Sequence, residues 1–488
     1  MQVVSFQRVR SSPFLRQVLK GTFLLTAGSV ISKGLLALAY IILARILTTS
    51  EYGEYGILRS TMDNLLVFAS MGIGLTTTKY ISELKHTDKS AASSILGTSL
   101  GLVFVLSFIV FLTLLIFSTP VSTGILKNES LTYPLIIAGG ILIFISLNSI
   151  QSGALLGLQS YRDISVVHIV QGILLFAGLC IGGYYHGVTG AITGNLLGMV
   201  VLYFFTHHLL IRRCKTEGIH ISFHDWRKYT KLIYKFAIPA SLSTFIVAPT
   251  IWILNTMLVN QPNGYYQLGL YSAVIIFTMA IQMLNGSIGN VLLPMFLADK
   301  TALSHKKAFV NYFGTWIITI LLSIPLIVFP ELVSFILGNK YPVDSIRTIL
   351  FLSIFSTIII AHKQGIARDL IIKNKMWLSV FSMGLWAVST FLLFTLLKGY
   401  GAMGFAWSYC LGYIINYLLF TPFFIYKKIS PAYIFYNKWV VGVWIWILLL
   451  TAINFSTSAY FLRLFSLPVI GLFPWLIHRL YGEICKNE

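Results

Sequence analysis

The chain has 488 residues, 57% hydrophobic and only 10% charged, with 35 Lys and Arg against 15 Asp and Glu. Soluble domains are about 45–50% apolar and ~25% charged; a mean hydropathy of +0.82 and repeated apolar runs of about 20 residues point instead to a polytopic membrane protein. A soluble enzyme and a secreted disulfide scaffold are excluded, and nucleic acid is set aside as a partner despite the net charge of +20, because excess Lys and Arg in such a protein first report topology.

Arg8, Arg10, Arg16 and Lys20 precede the first apolar run, Gly21 to Ala44. That run exceeds the roughly 7–15 residues of a signal-peptide core, so it is expected to be a retained first span. Further spans are expected at 57–79, 93–118, 134–158, 165–184, 188–210, 236–259, 267–293, 309–329, 346–362, 376–397, 402–426, 439–455 and 459–478, which makes fourteen. With the N-terminus inside, 27 Lys and Arg fall in inside segments, 5 in outside segments and 3 within spans. The positive-inside rule then places both termini in the cytoplasm. Outside loops are short, so no outer domain is expected. The longest inside segment, 207–235, carries Arg212, Arg213, Lys215, Arg227, Lys228 and Lys231 and reads as a connector on the membrane surface.

A shift of 213 residues lays Phe23 and Ala27 on Phe236 and Ala240, and Tyr55-Gly56-Ile57 on Leu268-Gly269-Leu270. Six spans per unit is an even number, so the second unit re-enters in the same orientation, giving a parallel repeat of the kind found in transporters. The expected fold is all-α, with about 14 helices. An N-terminal lobe spans 1–210, a basic connector 211–235, a C-terminal lobe 236–430, and two extra helices with a tail 431–488.

Four short motifs occur in order along this frame. Ala44-Arg45-Ile46-Leu47 precedes Glu54-Tyr55-Gly56, and Gly72-Ile73-Gly74 precedes Lys79-Tyr80-Ile81. Leu268-Gly269-Leu270-Tyr271-Ser272 and Ile336-Leu337-Gly338-Asn339-Lys340-Tyr341 follow. Together they resemble the Wzx-type lipid-linked oligosaccharide flippases of the multidrug/oligosaccharidyl-lipid/polysaccharide exporter superfamily, through helix twelve. The resemblance implies two six-helix lobes around a V-shaped cavity that opens alternately to either side. It also implies an undecaprenyl-pyrophosphate-linked oligosaccharide as substrate, turned across a bacterial inner membrane. Membrane lipids, glycan polymerase or assembly proteins and an H+ or Na+ gradient are the further partners to consider. No cofactor is expected.

Charges inside spans mark the candidate site, since a Lys or Arg at a helix centre costs about 2.5–3.5 kcal/mol on insertion scales and usually faces a wet cavity or a partner. Lys33 lies near the middle of span one. It reads as a cavity cation that attracts pyrophosphate or acidic sugars, or as a lysine paired structurally. Arg59 and Asp63, four apart in span two, share a helical face; they form a local ion pair or a switch in which Arg59 exchanges Asp63 for a phosphate oxygen. Asp63, taken as the sole acid in a span, is the candidate for ion coupling. Arg45, at the mouth of span one, is a candidate outer gate, and Arg463 reads as a snorkelling anchor. Gln282 and Asn285 on span eight are candidates for sugar hydroxyls, although intramembrane amides are more often interhelical glue.

Other classes have less behind them. A lipid II-type peptidoglycan precursor flippase shares the span count and the first-lobe cations. A cation-coupled small-molecule antiporter of the same superfamily would carry a first-helix carboxylate, where this chain has Lys33. A membrane polymerase or acyltransferase would need placed acid/base groups, and the outer segments offer only Glu51, Glu54, Glu129, Glu331 and Asp344. Cys180, Cys214, Cys410 and Cys485 show no metal or disulfide spacing, and His220 with His224 lacks a third ligand. No metal site is expected.

Overall fold

A computed structural model describes residues 13–241, 244–298, 305–373, 375–456, 463 and 466–485. The fold is all-α and polytopic: nine helical stretches among the described residues are long and apolar enough to cross a membrane, two of them exceeding 50 residues. Arg8, Arg10, Lys300 and Lys486, all counted in the charge balance, lie outside the described residues. The chain divides into two compact units, residues 1–47 with 54–256 and residues 48–53 with 257–488.

The first unit holds α1 (Pro13–Ile46), most of α2 (Thr49–Ser70), α3 (Ile73–Leu84), α4 (Lys89–Thr119), α5 (Thr132–Gly157), α6 (Tyr161–Glu217), α7 (Trp226–Ser241) and most of α8 (Thr244–Val259). Span two is not one helix. It breaks at Met71 (φ 43°) and Gly72 (φ 68°), two successive left-handed residues that stop the hydrogen-bond ladder. Spans five and six are the two arms of α6, reversed at His186 and at Gly187 (φ 57°, ψ −139°). Glycine is needed there because a side chain disfavours that backbone region. The arms meet backbone to backbone: a Cβ on Gly182 would lie 2.0 Å from the Gly190 carbonyl oxygen, and one on Gly194 1.9 Å from that of Gly178. Small residues let membrane helices approach this closely.

The connector differs from the surface segment expected over 207–235. α6 continues to Glu217, capped by left-handed Gly218. The turn that follows is fastened to the start of α4, where the His220 amide donates to Ser93 Oγ at 3.0 Å and the Ser222 amide to the Ser93 carbonyl at 3.3 Å. α7 then begins at Trp226. Its Tyr229, Ile233 and Ala237 are buried against α3, α4 and α5 while Arg227, Lys228, Lys231 and Lys235 stay exposed. The charges are one face of an amphipathic helix; a hydropathy average dilutes the apolar face.

The second unit holds α9 (Gly264–Ala298), α10 (His305–Val328), α11 (Pro330–Leu337), α12 (Val343–Ile372), α13 (Met376–Leu397), α14 (Gly401–Tyr426), α15 (Tyr433–Tyr436), α16 (Lys438–Ser456) and α17 (Ser466–Cys485). α12 corrects the expectation that span ten ends at 362. The helix continues for nearly three more turns, and Lys363, Arg368 and Asp369 on it are buried rather than looped into water. Asp63 is therefore not the sole acid on a spanning helix. The aromatic groups around His362, with Trp316 stacked 4.3 Å away and the Tyr417 hydroxyl 3.0 Å from Nδ1, pack α10, α12 and α14 together.

Arg463 is likewise not a snorkelling anchor. It is 4% exposed and donates to both carboxylate oxygens of Glu331, at 2.6 and 2.5 Å, with Arg347 3.8 Å from the same carboxylate. Bidentate pairing of this kind is strong and geometrically demanding. The Arg463 hydrogen bonds hold the Glu331 carboxyl below the ordinary carboxylate range. A depressed carboxyl stabilises the fold above its ordinary value, and that contribution fades as pH falls through the lower folded value. Glu331→Gln should therefore destabilise the unit by about 3 kcal/mol, the low end for a broken buried pair, since the Glu331 side chain remains 27% exposed. Thermal unfolding in detergent should show the difference at pH 7 and a smaller one near pH 3; equal melting at pH 7 would count against the pair.

Candidate functional site

In the first unit the helices gather the expected cations with aromatic partners that sequence reasoning did not single out. Lys33 is half-buried on α1, within electrostatic reach of His168 on α6. Seven residues along α1, on the same face, Tyr40 is buried. The Arg59 guanidinium lies 4.4 Å from the Tyr40 ring centroid. Tyr55 closes the group, its ring centroid 6.2 Å from that of Tyr40. Asp63 follows one turn beyond Arg59, interacts with it electrostatically and is exposed. Nearby, Trp252 Nε1 on α8 donates to Thr61 Oγ1 at 2.9 Å and fixes α2 against α8.

This arrangement has chemical content. A guanidinium held over a ring keeps its full charge, and the planar fork of N–H donors it carries is the group that matches phosphate oxygens. The signal that could have found Tyr40 is its spacing from Lys33, together with Tyr55 four residues before Arg59. Buried amide oxygens add acceptors to the unit: those of Asn148, Gln151, Asn195 and Asn255 have no hydrogen-bond partner among the described residues. Arg45 is exposed at the end of α1.

The two α9 candidates separate. Gln282 is half-buried and its Nε2 donates to Thr357 Oγ1 on α12 at 3.3 Å. Asn285 is 1% exposed and its Nδ2 donates to Thr319 Oγ1 on α10 at 2.5 Å. Three residues apart, they contact different helices, and Asn285 is the more deeply buried of the two. The residues missed altogether are on α12. Lys363 donates to Asn416 Oδ1 beside a cavity of about 160 Å³ that Ser382 and Tyr413 also line. Among the described residues no three His, Cys, Asp or Glu side chains gather as metal ligands, and His224 lies 3.6 Å from Asp225.

Against known proteins, the model of a family described as "Polysaccharide biosynthesis protein" matches residues 18–300. The EPS I polysaccharide export inner membrane protein EpsE of Ralstonia solanacearum is 24% identical over 292 residues, which cover 59% of this chain. The match spans 65% of that relative, just under two thirds of its length. An uncharacterized membrane protein of Methanocaldococcus jannaschii is 24% identical over 402 residues, covering 79% of this chain and 92% of its own. Among solved structures, the lipid II flippase MurJ in an inward closed conformation superposes with a TM-score of 0.70 at 14% identity, over 95% of this chain and 99% of that one. An inward-facing multidrug resistance MATE family transporter of the MOP superfamily gives 0.63 at 19% identity, over 88% and 96%. At these identities the likeness is one of fold. Where the descriptions name an activity, it is export or transport rather than catalysis.

Proposed function

Because the chain belongs to the polysaccharide biosynthesis protein family, we propose that it is a flippase that moves undecaprenyl-pyrophosphate-linked oligosaccharide repeat units across a bacterial inner membrane by alternating access, for surface polysaccharide such as O-antigen, capsule or lipopolysaccharide. The observation that carries this reading is the cation group of the first unit, Arg59 over the Tyr40 ring and Lys33 seven residues before Tyr40 on the spanning helix α1. A charge kept inside a membrane helix needs a functional reason, and a pyrophosphate headgroup supplies one. In this proposal Arg59 and Lys33 engage the pyrophosphate and the exposed Asp63 couples transport to H+ or Na+. Arg45 gates the outer side, and Gln282 is the α9 residue that contacts sugar. Both termini lie in the cytoplasm, as the split of cations supports, 25 to 5 once Lys363 and Arg368 are taken out of the 27 and set on α12. Glycan polymerase or assembly proteins are the partners that would take the product onward.

Deleting the gene and analysing the lipid fraction tests this directly. The expected result is a viable cell that accumulates a polyprenyl-pyrophosphate oligosaccharide and loses surface glycan. Accumulation of a peptidoglycan precursor with loss of viability would transfer the assignment to the lipid II type, which the fold likeness to MurJ keeps in view. An unchanged lipid fraction would overturn both.

A further inference from the structure

The first unit has a cavity of about 680 Å³ at its basic end, where the N-terminal end of the first α6 arm, the C-terminal end of the second and the start of α1 converge. Arg162, Arg212 and Arg213 line it, and Leu24, Val166 and Leu209 supply an apolar portion. The charged groups there do not cancel. Asp163 also lines the cavity but accepts a hydrogen bond from Ser160 Oγ at 2.5 Å as a helix-start contact. Arg213 is paired with Glu217 at 3.1 Å, and its Nε is buried with no hydrogen-bond partner among the described residues. Arg162 and Arg212 are exposed, and the cavity meets the positive end of the α6 dipole at Tyr161. A site with cationic and apolar parts, in a basic pocket between membrane helices, suits an amphiphile with an anionic head.

We propose that this cavity binds the phosphate headgroup of an anionic lipid, with Arg162 and Arg212 on the phosphate and the first carbons of the chain against Val166 and Leu209. The site is separate from the Arg59–Tyr40 group and needs no transport step. Anionic phospholipid and polyprenyl pyrophosphate share the recognised chemistry, and the experiment distinguishes them.

Purified full-length protein in nanodiscs is titrated with phosphatidylglycerol in a phosphatidylcholine background, and separately with sugar-free polyprenyl pyrophosphate, with binding read by native mass spectrometry. Each arginine near a membrane surface contributes enough that removing two should weaken binding roughly thirtyfold. Arg162→Ala with Arg212→Ala should therefore lose the lipid, whereas Lys215→Ala, exposed on α6 but outside the cavity lining, should keep it. Loss of phosphatidylglycerol in the double variant identifies a phospholipid site; loss of polyprenyl pyrophosphate alone identifies a site for the pyrophosphate of a lipid carrier. Equal binding by wild type and double variant, or no preference of wild type for either anion over phosphatidylcholine, overturns the proposal. Should the alanine pair fail to fold, Arg162→Gln with Arg212→Gln gives the same readout. Because lipid binding is measured and not flipping, a negative result leaves the flippase reading standing.

Discussion

Arg59→Ala is expected to slow flipping of the lipid-linked oligosaccharide by roughly ten- to a hundredfold in reconstituted liposomes, the worth of a hydrogen bond to a charged group. The wild-type guanidinium is half-buried and lies against Tyr40. Its removal forfeits a cation–π contact of about 0.5–2 kcal/mol, which lowers stability without preventing insertion. Arg59→Lys should recover only part of the rate, because a lysine ammonium keeps the charge and loses the planar fork. Lys33→Ala, in the same assay, should slow flipping less, since a single ammonium acts as a point charge. Asp63→Asn should change the dependence on pH or Na+ while leaving substrate binding in place. Unchanged flipping in both the Arg59 and Lys33 variants, with normal membrane levels, would reject the cationic site. An Asp63→Asn profile superimposable on wild type would reject that residue's coupling role alone.

What was legible in the sequence follows from which signals survive averaging. Long apolar runs do, so the all-α polytopic class could be read from hydropathy. Charges set inside such runs are equally visible, which is why Lys33, Arg59 and Asp63 could be named. Partner geometry could not be. Tyr40 is one tyrosine among 25, and only the packing of α1 against α2 brings its ring to Arg59. Three charges within seven residues, Lys363, Arg368 and Asp369, ended the apparent tenth span because hydropathy weighs a charge without knowing its partner. The apolar positions Ile359, Ile366 and Leu370, spaced seven and four apart and all buried, hold the helical period through that stretch, and they were the signal that the helix went on. The opposite error occurred at 226–235, where a basic stripe hid the buried face of Tyr229 and Ile233.

Asp369→Ala should destabilise the second unit by ~3–5 kcal/mol, the cost of removing one member of a buried charged network. Asp369 accepts from the Tyr312 hydroxyl at 2.5 Å and from Ser430 Oγ at 3.2 Å, and lies next to Arg368. That arginine donates through Nε to Asn311 Oδ1 at 2.6 Å and also to the Asn311 carbonyl. Further along, Lys373 Nζ donates to the Lys428 and Ile429 carbonyls at 3.1 and 2.5 Å. One carboxylate therefore ties α10, α12 and the turn after α14, and its loss strands the buried Tyr312 and Ser430 hydroxyls together. Thermal unfolding in detergent should drop by roughly 6 °C or more. Asp369→Asn keeps an acceptor for Tyr312 and should fall between the two. Tyr312→Phe should cost less than Asp369→Ala, and the double variant less than the sum of the singles, because both act on one network. Additive losses, or an Asp369→Ala variant that melts with wild type, would show that the buried charges are held by something other than this carboxylate. Because α12 carries the network without contributing any residue of the proposed cation site, a flipping defect in Asp369→Ala should track the fraction of folded protein. A defect that persists after correction for that fraction would assign Asp369 a part in transport itself.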